Sequence, residues 1–294
     1  MELWQAFILG IIEGITEYLP VSSTGHLLVA QHFMGIGTAS ASEKIAADTF
    51  AICIQGGAIL AVLGLYYKRV CQMIQGLLGR NAEGLKLVIT IIAGFLPAAL
   101  LGVMFNDWIE AKLFKPWPIT FALFAGGVAI LGTVWWSKRN PHTRTGKELV
   151  DLTWKMALII GLMQCLAMWP GTSRSLMTIF GGLIVGLSVR AAVEYSFLLG
   201  VVTLTAATAK KAVWKVEGLD PAYDVWLGGA KLMWDTYGGW PLFVGVLAAT
   251  VSAALAVKWL VSYLQSHGLR VFGWYRIVVA IVIGYLFAAG MVAV

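Results

Sequence analysis

Charge is the scarcest feature of this 294-residue chain: charged residues make up 12% of it, about half the share found in soluble globular domains. With 59% of the residues hydrophobic, too little polar surface remains to solvate a folded exterior, and a soluble domain or a large extramembrane catalytic domain is excluded. Cysteine is equally sparse. Cys53, Cys71 and Cys165 are an odd set without CxxC spacing, so neither a disulfide framework nor a zinc site is expected. No Lys or Arg precedes Lys44, and the first apolar run is broken by Glu13 and Glu17, a pattern that does not suit a cleavable signal peptide. The net charge of +6 does not make nucleic acid an expected partner, because the basic residues lie in short stretches between apolar runs. That distribution is a topology signal.

What the chain has in abundance is glycine (33) and tryptophan (13), both enriched in polytopic helical membrane proteins. Six apolar runs are long enough to cross a hydrocarbon core about 30 Å thick. They cover approximately 47–67, 86–105, 118–136, 190–212, 239–263 and 272–293. Two further apolar regions, 4–34 and 153–187, are each split by a cluster of Pro, Ser, Thr and Gly into pieces too short to span, and read as re-entrant helical hairpins. The expected fold is an all-α integral membrane protein of six transmembrane helices plus two re-entrant hairpins.

The order hairpin, three spans, hairpin, three spans predicts a single membrane domain, 1–294, built of two repeats at about 1–140 and 150–294. An odd number of crossings per repeat inverts the second copy, so the hairpins enter from opposite faces and meet near the midplane. Pro20-Val21-Ser22-Ser23-Thr24-Gly25 aligns with Pro170-Gly171-Thr172-Ser173-Arg174-Ser175. Eleven Lys and Arg, from Lys68 to Arg270 and including Arg144, fall on one side and seven, including Lys44 and Lys215, on the other. The first side is then cytoplasmic by the positive-inside rule, which puts both termini and the 214–238 loop outside.

The candidate chemistry sits in the broken regions. Glu13 and Glu17 are four apart and share a helix face without a local cation. Two such carboxylates must share a proton, bind a divalent cation or face water. Pro20 ends the first half-helix, and Ser22, Ser23 or Thr24 can cap the second, whose N-terminus with Gly25 offers unpaired N–H groups to an anion. His26, in the first turn, suits general acid–base work or a structural hydrogen bond.

In the second hairpin Gly171, Thr172, Ser173, Ser175 and Thr178 surround Arg174. The planar fork of Arg174 suits a phosphate, or else pairs with Glu13, Glu17 or Glu194. Two anion-seeking helix ends, an Arg, a His and a carboxylate pair able to hold Mg²⁺ or Ca²⁺ describe a phosphate or diphosphate site. Gln55, Gln164 and Glu194 are the expected supporting residues, while Ser196 and the Tyr275-Arg276 pair read as helix–helix hydrogen-bonders. Gly126-Gly127 and Gly181-Gly182 allow close helix packing, within the chain or in a homodimer.

The run Glu13-Gly14-Ile15-Thr16-Glu17-Tyr18-Leu19-Pro20-Val21-Ser22-Ser23-Thr24-Gly25-His26, with Trp169 to Ser175, closely resembles the BacA-type undecaprenyl-diphosphatase family. The likeness extends to Phe50–Val62, Glu194–Leu199 and Tyr275-Arg276. It implies a bacterial inner-membrane enzyme that hydrolyses undecaprenyl diphosphate to undecaprenyl phosphate and inorganic phosphate, recycling the cell-wall carrier lipid with Mg²⁺ or Ca²⁺ assistance. Its site would open to the extracytoplasmic side. Carried over by motif, the acidic pair falls on Glu13 and Glu17, the nucleophile candidate on Ser23, the histidine on His26 and the phosphate clamp on Arg174. The chain departs from the family pattern at Leu176 and Met177, at Val202 and at Gly56. Broken helices in inverted repeats are also the architecture of secondary transporters, so a transporter or flippase for an anionic polyprenyl phosphate is the rival reading.

Overall fold

Leu3–Tyr18 (α1) has 16 residues and reaches about 24 Å at 1.5 Å per residue, short of a bilayer core. The chain breaks at Leu19–Ser22, where Pro20 cannot continue the helix, and restarts as α2, Ser23–Phe33. The second broken region repeats the plan with α7 (Trp154–Cys165), a short 3₁₀ turn at Leu166–Met168, and α8 (Arg174–Ile184). This is a computed structural model that describes residues 1–139, 146–213 and 222–291. Arg144 and Lys215, used in the charge comparison, lie outside the described residues.

Between and after these pairs run α3 (Ala41–Leu65), α4 (Tyr67–Leu77), α5 (Ala82–Leu113) and α6 (Pro116–Arg139), then α9 (Val189–Val213), α10 (Gly228–Tyr237), α11 (Gly239–Ser266) and α12 (Arg270–Ala288). Six of them, α3, α5, α6, α9, α11 and α12, are long and apolar enough to cross a membrane, at the positions the apolar runs indicate. Their ends extend beyond those runs where caps allow it. Ser40 accepts from the Glu43 N–H and starts α3 at Ala41, and Asn81 accepts from the Gly84 N–H and starts α5. α5 reaches 32 residues with Pro97 inside it. The short helices α4 and α10 were not expected: each is too short to span, and α4 alternates Lys68, Arg69 and Gln72 with Val70, Met73 and Ile74 in the pattern of an interfacial helix.

Glycine sets how closely these helices approach. Gly10 and Gly14 of α1 lie against α11, where a Cβ on Gly14 would strike Ser252 and the Ala249 carbonyl. Gly161 of α7 is seated on the Gly94 carbonyl of α5 in the same manner. Inside a bilayer, where lipid is as apolar as Leu, such close approach supplies the dispersion contacts that hold helices together. Gly126 and Gly127 pack on Arg276 and Ile277 of α12, and Gly181 and Gly182 on Ile160 and Ala192. Both glycine pairs are therefore used within the chain.

Candidate active site

The two breaks come together through side chains at their helix starts. Arg174, the first residue of α8, donates from Nη2 to Oε1 of Glu17 on α1 at 2.9 Å. Ser23, the first residue of α2, donates to the other oxygen of Glu17 at 2.6 Å. Arg174 also donates from Nη1 to the Ser196 carbonyl at 3.1 Å, and its guanidinium lies 5.1 Å from the centre of the Tyr18 ring. The Arg174 Nε and the Tyr18 hydroxyl are buried without a hydrogen-bond partner. One carboxylate is thus held between a hydroxyl at one half-helix N-terminus and a cation at the other.

Glu13, one turn before Glu17, is fully buried, and neither of its oxygens has a hydrogen-bond partner. Its electrostatic neighbours are Glu17, Arg174 and Gln55. An orphaned carboxylate inside a membrane protein asks for a proton or a cation. Among the described residues no group of three or more His, Cys, Asp and Glu could hold a metal ion. Each oxygen of Glu17 accepts one hydrogen bond, whereas those of Glu13 accept none.

The backbone at the two breaks is strained in the same way. Ser22 (φ 72°, ψ 104°) and Ser173 (φ 76°, ψ 117°) both stand at the N-cap position of the following helix in a conformation that non-glycine residues rarely adopt, and the Ser173 side chain alone makes a capping bond. Such positions cluster at functional sites and carry about 1–3 kcal/mol of strain each. They also correct the sequence register: setting Pro20 against Pro170 pairs Ser22 with Thr172, whereas the structure makes Ser22 equivalent to Ser173 and Ser23 to Arg174. The second loop holds one more residue between its Pro and its helix.

The remaining expected residues are placed as follows. Thr24 and Gly25 lie in the first turn of α2, with Gly25 against Leu123. The His26 hydrogen bonds go elsewhere than to Ser23 or Glu17: Nδ1 pairs with the Ser22 carbonyl at 2.7 Å and Nε2 with the Tyr275 hydroxyl at 2.7 Å. Thr172 turns its hydroxyl back onto the Leu166 and Trp169 carbonyls. Ser173 and Ser175 pair at 2.9 Å, and Ser175 donates to the Leu19 carbonyl at 2.9 Å, joining one break to the other. Gly171, with φ 96°, presents its carbonyl to Arg276.

Thr178 bonds Ser196 at 2.6 Å and the Arg174 carbonyl at 2.9 Å, and so braces α8 on α9. Gln164 accepts from Thr203 at 3.2 Å. Glu194 pairs with Arg69 at 2.7 Å instead of supporting Arg174. From sequence, Tyr18 has no evident role in the site and Arg276 reads only as a helix-packing residue. No spacing signal points to either, because their partners are distant in sequence.

A multi-pass helical membrane protein whose two broken helices meet at a buried Ser–Glu–Arg chain is the class these features define. The chain belongs to the family described as bacitracin resistance protein BacA, which matches residues 6–282. It is 41% identical over 281 residues to Undecaprenyl-diphosphatase 2 of Rhodospirillum rubrum, covering 96% of this chain and 93% of that protein. It is 40% identical over 275 residues to the undecaprenyl-diphosphatase of Nitrosomonas europaea (94% and 91% covered) and 38% identical over 284 residues to that of Sorangium cellulosum (96% and 86% covered).

Proposed function

We propose that this protein is an undecaprenyl-diphosphatase of the bacterial inner membrane, releasing inorganic phosphate from the lipid diphosphate and returning the monophosphate carrier. The observation that carries the mechanism is the Ser23–Glu17–Arg174 chain. Glu17 takes the Ser23 hydroxyl proton as Oγ attacks the terminal phosphorus. The bond from that phosphorus to the bridging oxygen breaks, and undecaprenyl phosphate leaves. Water then cleaves the phosphoserine, and the Ser23 proton is restored. Arg174 and the N–H groups at the starts of α2 and α8 neutralise charge on the transferring group, the main task in phosphoryl transfer.

Glu13, whose oxygens accept no hydrogen bond, is the residue that would hold a divalent cation, with Gln55 beside it. Such a cation, Mg²⁺ or Ca²⁺, would supply further charge neutralisation. Direct attack by water, with Ser23 only positioning, is the alternative within the class. Acid-quench trapping of phosphorylated Ser23 separates the two.

The two inverted repeats, residues 1–140 and 150–294, are part of this proposal. The packing of α1 on α11 and of α7 on α5, each half lending a helix to the other's hairpin, supports it, as do the matching caps at Ser22 and Ser173. The site then opens to the extracytoplasmic side, with both termini outside. A C-terminal reporter active only in the cytoplasm should stay silent. Broken helices at a midplane site also favour a transporter or flippase. Detergent-purified protein decides between the readings: phosphate release from undecaprenyl diphosphate, sensitive to EDTA and lost in Ser23→Ala and Arg174→Ala, is expected of the enzyme, and well-folded but inert wild type would favour transport.

A further inference from the structure

Arg276 of α12 is fully buried, and no carboxylate lies within ion-pair distance of it among the described residues. Its guanidinium instead donates to four backbone carbonyls: Leu123 (3.2 Å) and Ala122 (3.1 Å) of α6, Pro20 (3.3 Å) in the first break and Gly171 (2.7 Å) in the second. Pro20 stands two residues before the strained cap Ser22, and Gly171 two residues before the strained cap Ser173. One side chain therefore grips equivalent carbonyls of both breaks. Gly126 leaves the room for it, since a Cβ there would collide with the guanidinium.

The preceding residue acts on the same loop by another route. The Ser22 carbonyl can only accept, so the His26 Nδ1 carries the proton and Nε2 presents its lone pair to the Tyr275 hydroxyl. Tyr275 thereby fixes the ring of His26, and His26 fixes the Ser22 carbonyl. In a trans peptide the C=O and the following N–H point opposite ways. Holding the Ser22 carbonyl toward His26 thus aims the Ser23 N–H, which has no acceptor within its own helix, in the opposite direction.

The geometry points to Tyr275 and Arg276 as positioning residues: a two-residue clamp on α12 that sets the spacing and aim of the two half-helix N-termini bearing Ser23 and Arg174. The inference rests on the phosphatase reading above. A clamp of this kind acts when charge develops on the transferring group, so its loss falls on turnover more than on substrate binding.

The test uses the full chain in detergent with undecaprenyl diphosphate, measuring kcat, KM, inhibition by vanadate as a pentacoordinate phosphorus mimic, and thermal unfolding. Tyr275→Phe is expected to lower kcat on the order of tenfold and weaken vanadate by a similar factor, with KM within about twofold. Arg276→Met is expected to lose more, and Arg276→Lys to recover part of it. Tyr285→Phe, on the lipid-exposed face of the same helix, should match wild type. If Arg276→Met does not fold, Tyr275→Phe and Arg276→Lys decide. Unchanged kcat and vanadate inhibition in Tyr275→Phe, or a loss confined to KM, overturns the clamp. An inert wild type instead removes the phosphatase reading, and the clamp with it.

Discussion

Ser23 and Glu17 share a 2.6 Å hydrogen bond in which the serine hydroxyl donates to a buried carboxylate. Because Arg174 donates to the other oxygen of that carboxylate, one residue on α1 is the hub between the first residue of α2 and the first residue of α8. In the proposed reaction a phosphoryl group between the two helix starts would meet a hydroxyl already bonded to its base and a cation on the same carboxylate. Preorganisation of this sort spares reorganisation at the moment of reaction.

Glu17→Gln should therefore damage both chemistry and fold. Losing the proposed base is expected to lower turnover by about 10²–10⁴-fold, and leaving the partly buried Arg174, whose side chain is 10% exposed, without its counter-charge should destabilise by up to about 3 kcal/mol. Phosphate release and thermal unfolding, measured on the same preparation, check both halves. A variant that loses activity but unfolds at the wild-type temperature would show that the ion pair contributes nothing to stability.

Glu13→Gln should behave in the opposite way. Its oxygens have no hydrogen-bond partner to lose, and neutralising a buried acid beside Glu17 removes a repulsion. Stability is expected to hold or rise, while the response of phosphate release to added Mg²⁺ after EDTA treatment is expected to disappear. A normal Mg²⁺ titration in this variant would move the cation to other groups.

Ser22→Gly tests the strain at the first break. Glycine takes a positive φ freely and releases about 1–3 kcal/mol of strain, against about 0.5–1 kcal/mol for its greater chain entropy. The Ser22 side chain makes no capping bond, so only the packing of one small buried side chain is lost besides. The unfolding temperature is expected to stay level or rise, and Ser22→Val, which cannot adopt the conformation, to lower it sharply. A fall in kcat for Ser22→Gly alongside raised stability would show that the strain serves the reaction.

How much of this was legible beforehand divides by range. The six long helices follow from uninterrupted apolar runs, and Glu17, Ser23 and Arg174 from ionisable or hydroxyl groups beside proline breaks, since both signals are local. Arg276 was visible only as a polar residue in a span. Its partners are the carbonyls of Pro20, Ala122, Leu123 and Gly171, and a backbone carbonyl leaves no mark on residue identity. The residue type makes His26 an acid–base candidate, but its contact with Tyr275 spans 249 positions and leaves no local signal. The one-residue slip between the loops escaped because both carry Pro followed by hydroxyl residues, and only the φ angles of Ser22 and Ser173 fix the register. α4 and α10 were too short and too mixed for a run-length criterion.

The last prediction concerns Gly14, which sits in the turn between Glu13 and Glu17. A methyl group there would collide with Ser252 and the Ala249 carbonyl of α11, so α1 must move away. Overpacking of this kind costs about 1–3 kcal/mol, and the displacement carries Glu17 away from Ser23 at the same time. Gly14→Ala is expected to lower the unfolding temperature and to lose activity beyond what that destabilisation explains at the assay temperature. Gly64→Ala is the control: nothing lies within 4 Å of its Cβ position in α3, so the substitution is expected to be neutral or to stabilise by about 0.5–1 kcal/mol. Equal behaviour of the two variants would mean that the close seating of α1 on α11 does not fix the position of Glu17.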